Sequence, residues 1–198
     1  MRNCSDPGSR VWLYDSDNPK RKLRYTWELV EVAERHLACI NTHRANHLVK
    51  EAIQNKDIEE LAGYDQLLSE RKYGSENSRI DLLLKGDGVS DCYVEIKNLT
   101  LLQDENGTGV FPDAVTTRGR KHLRELMNIV RNGERAVLFF NVAHTGIDHV
   151  SPAWDIDQEY GATLSEAIDV GVEVLAYRAA ISPKRIMLDQ QLQFDLNP

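Results

Sequence analysis

Residues 78–101 read S-R-I-D-L-L-L (78–84), K-G-D-G-V-S-D (85–91) and C-Y-V-E-I-K-N-L-T-L (92–101). Two apolar runs flank a Gly/Asp/Ser turn, which is the pattern of two adjacent strands. Each run carries charge where a core strand should carry none. Asp81 interrupts Ile80 and Leu82 to Leu84, while Glu95 and Lys97 alternate with Val94 and Ile96. A period of two puts Glu95 and Lys97 on one face of their strand. Side by side, the two strands can bring Asp81, Glu95 and Lys97 into one pocket, and burying such charges is costly unless they pair or hold a metal. The same spacing also fits the solvated face of an antiparallel sheet, and D-x(n)-E-x-K is short enough to arise by chance. The surrounding chain has to decide between these readings.

Upstream, 10–15 (R-V-W-L-Y-D), 25–32 (Y-T-W-E-L-V-E-V) and 36–41 (H-L-A-C-I-N) are aromatic or β-branched and separated by turn residues, so they read as three strands. So few strands make a poor independent core, and the segment must pack on the downstream chain or belong to a larger β-domain. From Thr42, taken as the N-cap, Ala45, Leu48, Val49, Ala52 and Ile53 follow the buried stripe of a helix. Glu51 borders that stripe, close to Leu48, where it could look toward the sheet. His43 and His47 lack the Glu of an H-E-x-x-H motif and read as surface residues.

Residues 66–73 precede the central pair as a further strand of an antiparallel meander, and D-E-N-G-T-G-V-F-P-D comes after it as a loop. A helix over about 115–131 has Leu123, Leu126, Met127 and Val130 inward. Gly119 lies on its stripe for close approach to the sheet, and Arg118 and His122 stand one turn apart. R-A-V-L-F-F-N-V-A then predicts a central buried strand, parallel to the Glu95 strand through a right-handed crossover. A last helix, about 157–170 with Gly171 at its end, leads to V-E-V-L-A-Y-R-A; the tail from Ser182 is short and mixed.

The composition, 41% hydrophobic and 28% charged over 198 residues, is that of a globular protein. No apolar run approaches a membrane span, and the stretch M-R-N-C-S-D-P-G-S-R (1–10) has no apolar core of the kind a signal peptide carries. A cytoplasmic location, with no membrane partner, is expected. Three scattered cysteines with no C-x-x-C read as reduced thiols. The net charge of −7 argues at first against nucleic acid, but it is unevenly spread: residues 1–50 carry +3. Lys20, Arg21, Lys22 and Arg24 sit beside Tyr25 and Trp27, and Arg118, Arg120, Lys121, His122 and Arg124 crowd one segment. A basic rim around an acidic pocket suits a phosphodiester with a cation between it and the protein, although either cluster alone also fits a solvated charge run.

The order α-β-β-β-α-β, with an acid in the first helix, Asp81 in the second strand and Glu95-x-Lys97 in the third, resembles the PD-(D/E)-x-K nuclease core. The words N-T-H-R-A-N (41–46), Y-G (73–74), S-R-I-D (78–81), C-Y-V-E-I-K-N-L-T-L (92–101), F-P-D-A-V-T (111–116), R-G-R-K-H-L (118–123) and G-V-E-V-L-A-Y (171–177) narrow this. Together they resemble the sugar fermentation stimulation protein A family, over essentially the whole chain. The resemblance implies an α/β fold: a mixed β-sheet of the restriction-endonuclease-like core over 42–198, preceded by a partial OB-like β segment over 1–41 that binds nucleic acid. The chain departs from the family pattern at Thr117, where the family word reads T-E-R-G. It departs also at Met1, which resembles the Met closing a P-N-T-G-x-M word. The first barrel strands would then lie upstream, leaving an open sheet edge and favouring a homodimer.

The implied activity is a Mg2+- or Mn2+-dependent nuclease acting on DNA or RNA, with DNA favoured. Asp81 and Glu95, with the Ile96 carbonyl, would hold the ion. Lys97 would orient or deprotonate the attacking water, and Glu51 would position a water or a second ion. Arg79, Arg118, Lys121 and His122 are candidates for the phosphate, and Arg21, Lys22 and Arg24 for nucleic acid beside the β segment. Arg79 fits an ion pair near Asp81 equally well. Without a cation, Glu51, Asp81 and Glu95 would repel one another, Lys97 neutralising only part of their charge. The other reading is a non-catalytic nucleic-acid-binding regulator of sugar metabolism with a vestigial site.

Overall fold

The run R-A-V-L-F-F-N-V forms strand β8 (Arg135–Val142), in which every residue but Arg135 is buried. The computed structural model describes residues 2–74 and 78–196. The reading of Met1 and the centre of the Tyr73–Ser78 turn lie outside the described residues.

β8 is buried on both faces because it sits in the middle of a six-stranded sheet. The other strands are β4 (Gln66–Tyr73), β5 (Ser78–Lys85), β6 (Cys92–Leu99), β10 (Glu173–Ser182) and β11 (Arg185–Gln191). Their order is β11-β10-β8-β6-β5-β4. β8 runs parallel to both β6 and β10, and the outer pairs are antiparallel. The mixed sheet and the parallel crossover follow the sequence expectation. The two faces are covered by different helices. Helix α1 (His43–Asn55) lays Ala45, Leu48, Val49 and Ala52 on Leu82, Leu84, Val94 and Phe139. Helices α2 (Thr117–Arg131) and α3 (Gln158–Val170) bring Leu123, Leu126, Tyr160 and Leu164 onto Leu83, Leu99 and Phe140.

The helix starts differ from the expected ones in instructive ways. Thr42 does not cap α1: its own backbone is already helical (φ −60, ψ −23) and its hydroxyl makes no cap bond, so Asn41 Oδ1 accepts the His43 N–H instead. Gly119 makes room for its own helix cap and for α3 rather than for the sheet, since a Cβ there would lie 2.7 Å from the Thr116 side chain and 3.0 Å from the Tyr160 ring. One buried carboxylate organises both helix starts. Asp157 caps α3 through the Tyr160 N–H, accepts the Thr116 N–H just ahead of α2 at 2.8 Å, and takes Arg120 at 3.2 Å.

The three N-terminal strands are β1 (Val11–Asp15), β2 (Tyr25–Val32) and β3 (His36–Cys39), in an antiparallel sheet. Their small core is not independent: Leu29 and Cys39 pack with Ala143, Ile181 and Ile186 of the main domain. A seam of main-chain bonds joins them to the loop after β8, with Cys39 N–H to Ala143 O and Thr145 N–H to Leu37 O, each at 2.9 Å. The segment read as a loop contains β7 (Thr108–Phe111), which pairs in parallel with β9 (His149–Pro152), and β9 with β12 (Gln193–Phe194). The tail from Ser182 contributes β11, antiparallel to β10. All three cysteines are buried free thiols, and burial pushes Cys39 and Cys92 up to about 11. Among the described residues no helix is long and apolar enough to cross a membrane.

Candidate active site

β5 and β6 pair only through Leu82–Val94, Leu83–Tyr93 and Leu84–Cys92. At the next step, Asp81 opposite Glu95, the ladder stops. In its place the Asp81 side chain takes over: Oδ2 accepts the Ile96 N–H at 2.8 Å, and Oδ1 accepts from Asn46 Nδ2 of α1 at 2.9 Å. The strands part here. The opening leads into a cleft of about 550 Å³ whose wall includes Asp81, Glu95, Glu70, Arg79, Arg118 and Lys121.

Glu95 is 2% exposed. Its Oε1 accepts from Lys97 Nζ at 2.6 Å and meets His122 Nδ1 in a short contact. On the other side of the ring Arg118 Nε lies 3.4 Å from His122 Nε2, and Lys97 Nζ lies 3.2 Å from His122 Nδ1, so His122 is packed between Glu95, Lys97 and Arg118. The other oxygen, Oε2, is buried and has no hydrogen-bond partner among the described residues. Two neighbouring carboxylates are thereby driven apart in acidity. Burial, and next the charge of Glu95, raise the Asp81 pKa. For Glu95 burial also pushes upward, but His122 and Lys97 outweigh it and the net shift is downward.

Asp81, Glu95 and Lys97 therefore meet in one partly buried site, not on a solvated face. Glu51 does not join them. It is exposed, and it lines a separate groove with Trp12, Tyr14, Arg44 and Lys184. The residue of α1 that reaches Asp81 is Asn46, five positions earlier. Five steps of 100° leave Glu51 about 140° round the helix from that contact. Of the repulsion expected among three carboxylates, the part between Asp81 and Glu95 is present, with Glu95 compensated by His122 and Lys97 and Asp81 held by the Ile96 N–H and Asn46, while Glu51 takes no part.

The basic candidates divide into two groups. Arg79, Arg118 and Lys121 line the cleft, Arg79 and Arg118 being exposed. His122 also lines it, but it is 7% exposed and turned to Glu95, the position of a residue that orients a carboxylate rather than one that meets a phosphate. Arg21, Lys22 and Arg24 lie exposed in the turn between β1 and β2. Arg24 is held by Asp15 through bonds of 2.6–3.0 Å and lies over the Tyr25 ring, and Arg21 donates to Thr26 Oγ1. Asn46 and Glu70 were missed as site residues. Asn46 lies within the N-T-H-R-A-N word, but an amide on a helix carries no charge pattern that singles it out.

The split sheet, with an acid on each lip and a lysine beside the second, defines an α/β protein: a restriction-endonuclease-like domain behind an N-terminal OB domain. Family models agree: one described as "SfsA N-terminal OB domain" matches residues 1–40, and one described as "Sugar fermentation stimulation protein RE domain" matches residues 43–185. The sugar fermentation stimulation protein homolog of Aliivibrio salmonicida is 53% identical over 196 residues, covering 99% of this chain and 83% of that protein. The homolog of Shewanella loihica is 57% identical over 188 residues, covering 95% and 80%. The solved structure of Pyrococcus furiosus SfsA in complex with Ca2+ superposes with a TM-score of 0.86 at 25% identity, over 96% of this chain and 79% of that one. The chain belongs to the sugar fermentation stimulation protein family.

Proposed function

We propose that this protein is a nuclease that hydrolyses phosphodiester bonds, with Mg2+ or Mn2+ as cofactor and DNA favoured over RNA as substrate. The observation that carries this reading is Glu95 Oε2, a buried carboxylate oxygen without a partner among the described residues, in the same cleft as Asp81. An unpaired buried oxygen is costly, and a divalent cation is the partner that would satisfy it. The donor set fits a hard ion: the Asp81 and Glu95 carboxylates, and the Ile96 carbonyl, which by strand geometry faces the same way as its N–H. Magnesium keeps several waters and is commonly bound through one or two carboxylates, so two acids are a sufficient protein ligand set. The Ca2+ complex of the Pyrococcus furiosus relative supports the same class of ion.

A cation held there would polarise water and offset the charge that develops on the phosphate. Lys97, 2.6 Å from Glu95 Oε1, orients the attacking water. His122 fixes the Glu95 carboxylate, and Arg118 fixes His122. Arg79 and Lys121 on the cleft wall receive the phosphates flanking the bond to be cut, with Arg21, Lys22 and Arg24 extending the nucleic-acid track along the OB domain. The outer edge of β1, where Leu13 and Tyr14 are 55% and 51% exposed, offers a pairing surface to a second copy of the chain. Action in the cytoplasm belongs to the same reading, with three free thiols.

Incubation of the purified chain with plasmid, single-stranded DNA and RNA, with Mg2+, Mn2+ or EDTA, tests this. Metal-dependent cleavage that Asp81→Ala and Lys97→Ala abolish, with binding kept within a few-fold, is the expected outcome. Binding without cleavage of any substrate would instead favour the non-catalytic regulator.

A further inference from the structure

His144, which follows β8, is 0% exposed, and its backbone bridges Ala38 of β3 in the middle of the seam between the N-terminal sheet and the main domain. The bonds from Cys39 to Ala143 and from Thr145 to Leu37 lie on either side of that bridge, and Thr145 Oγ1 accepts the Leu37 N–H at 3.0 Å. One side of the imidazole is satisfied and the other is not. Nδ1 accepts the Gly146 N–H at 3.0 Å; a main-chain N–H can only donate, so the proton of the neutral ring sits on Nε2. Nε2 is buried and has no hydrogen-bond partner among the described residues.

His36 of β3 lies across the seam, the two ring centroids 5.4 Å apart. Gly146 makes room for its ring, since a Cβ there would come within 2.7 Å of it. Charged side chains bear on the pair from each element around it. Arg35, at the turn before β3, opposes a proton on His36, while Asp148, in the loop after His144, favours one; Arg178 of β10 is bound to Asp148 and weakens that help. Burial and then Arg35 lower the pKa of His36, and burial and then His36 take His144 down to about 4.

We propose that the His36–His144 pair makes this seam acid-sensitive: with both rings neutral it is closed, and protonating them parts the N-terminal sheet from the end of β8. A second proton on His144 must go to Nδ1, where it faces the Gly146 N–H, donor against donor, in a place closed to water. Charging His36 as well sets two cations side by side. Opening the seam lets both rings ionise as ordinary imidazoles. The folded pKa of His144 lies below the unfolded one, so its contribution to the closed seam is fully present above the ordinary His range and is lost as pH falls toward about 4. From the ordinary value of 6.5 and the folded value of about 4, opening rises on the order of tenfold by pH 5.5 and fifty- to a hundredfold by pH 4.5. The apolar contact of Leu29 and Cys39 with Ala143 sets how far the closed form leads at neutral pH. This device does not depend on the chain being a nuclease.

The test is amide hydrogen exchange of the full chain between pH 7.5 and 4.5, read as protection factors, with the histidine rings titrated by NMR in the same samples. The Cys39 and Thr145 amides, which bond across the seam, should lose protection about tenfold by pH 5.5 and on the order of fiftyfold by pH 4.5, in step with the His144 ring. The amides of Val137 to Phe140, inside β8, should hold theirs. His144→Asn, whose Oδ1 still accepts the Gly146 N–H but takes no proton, should keep the seam amides protected across the range. His36→Gln, at a half-buried position, removes one of the two charges and should reduce the loss; it serves if the Asn variant does not fold. Seam amides that stay protected with β8 down to pH 4.5 overturn the proposal, as does a loss that both variants leave unchanged. Seam and β8 amides exposed together would mean that acid unfolds the whole chain, and overturn it too.

Discussion

The main-chain N–H of Ile96 donates to the Asp81 carboxylate, 2.8 Å away, at the step where β5 and β6 cease to pair. A side chain thus does what a neighbouring strand does elsewhere in the sheet. It keeps the polar backbone satisfied while the strands diverge, so the opening can exist without an orphaned amide. The same carboxylate is raised in pKa by burial and by Glu95, so the group that holds the sheet open is also the one whose charge is least welcome there.

Asp81→Asn keeps an oxygen for the Ile96 N–H and removes the charge. The folded pKa of Asp81 lies above the unfolded one, so its contribution to stability is fully present below the unfolded pKa and is lost as pH rises through the folded pKa. At neutral pH in EDTA the variant should melt above wild type, and the difference should vanish on acidification below the ordinary Asp range. Calorimetry across that range reads it; a lower melting temperature at pH 7 contradicts the assignment.

Glu95→Gln should do the reverse. Its pKa is lowered by His122 and Lys97 against the pull of burial, so its stabilising contribution is present above the unfolded Glu pKa and lost as pH falls through the folded value. Removing one member of a buried charge pair leaves the other uncompensated, at about 3–5 kcal/mol. Urea unfolding at pH 7 should show a loss near the lower figure, because the amide still accepts a hydrogen bond. The gap between variant and wild type should close as pH drops.

In the proposed metal site His122 acts through Glu95, whose carboxylate it contacts. Groups that orient a metal-ligating carboxylate typically contribute about 10- to 100-fold to metal affinity. His122→Ala should weaken Mn2+ binding by that factor while leaving nucleic-acid affinity in EDTA within about twofold. An equal loss in both assays would mean that His122 meets the phosphate after all.

Asp157 does not line the cleft yet holds the start of α2, the helix that carries Arg118 and His122. Asp157→Ala removes a helix cap and leaves the Thr116 N–H without its acceptor, together on the order of 2–4 kcal/mol. The melting temperature should fall in proportion, and metal affinity should fall with it. Destabilisation without any change in metal binding would show that α2 is fixed by its apolar packing alone.

The site was legible where strand geometry leaves no freedom. Glu95 and Lys97 share a face because every strand has a period of two, and an acid inside I-D-L-L-L reports an exception to burial. Glu51 was not legible. The stripe of α1 shows which side is apolar, but not which border of that stripe will lie over the sheet opening, because the direction in which a helix crosses its sheet is set by the partner. β7 and β9 escaped because four-residue strands containing Gly109 and Pro152 look like turns, and their pairing comes from residues some forty positions apart.

The seam between Leu37–Cys39 and Ala143–Thr145 makes the N-terminal sheet an extension of β8 rather than a module on a tether. The β1–β2 segment bearing Arg21, Lys22 and Arg24 is thereby tied, through β2 and β3, to the domain that holds the parting of β5 and β6. If the proposed nuclease grips a strand at that segment, this tie would hold the cut at a constant offset from the footprint whatever the bases between them.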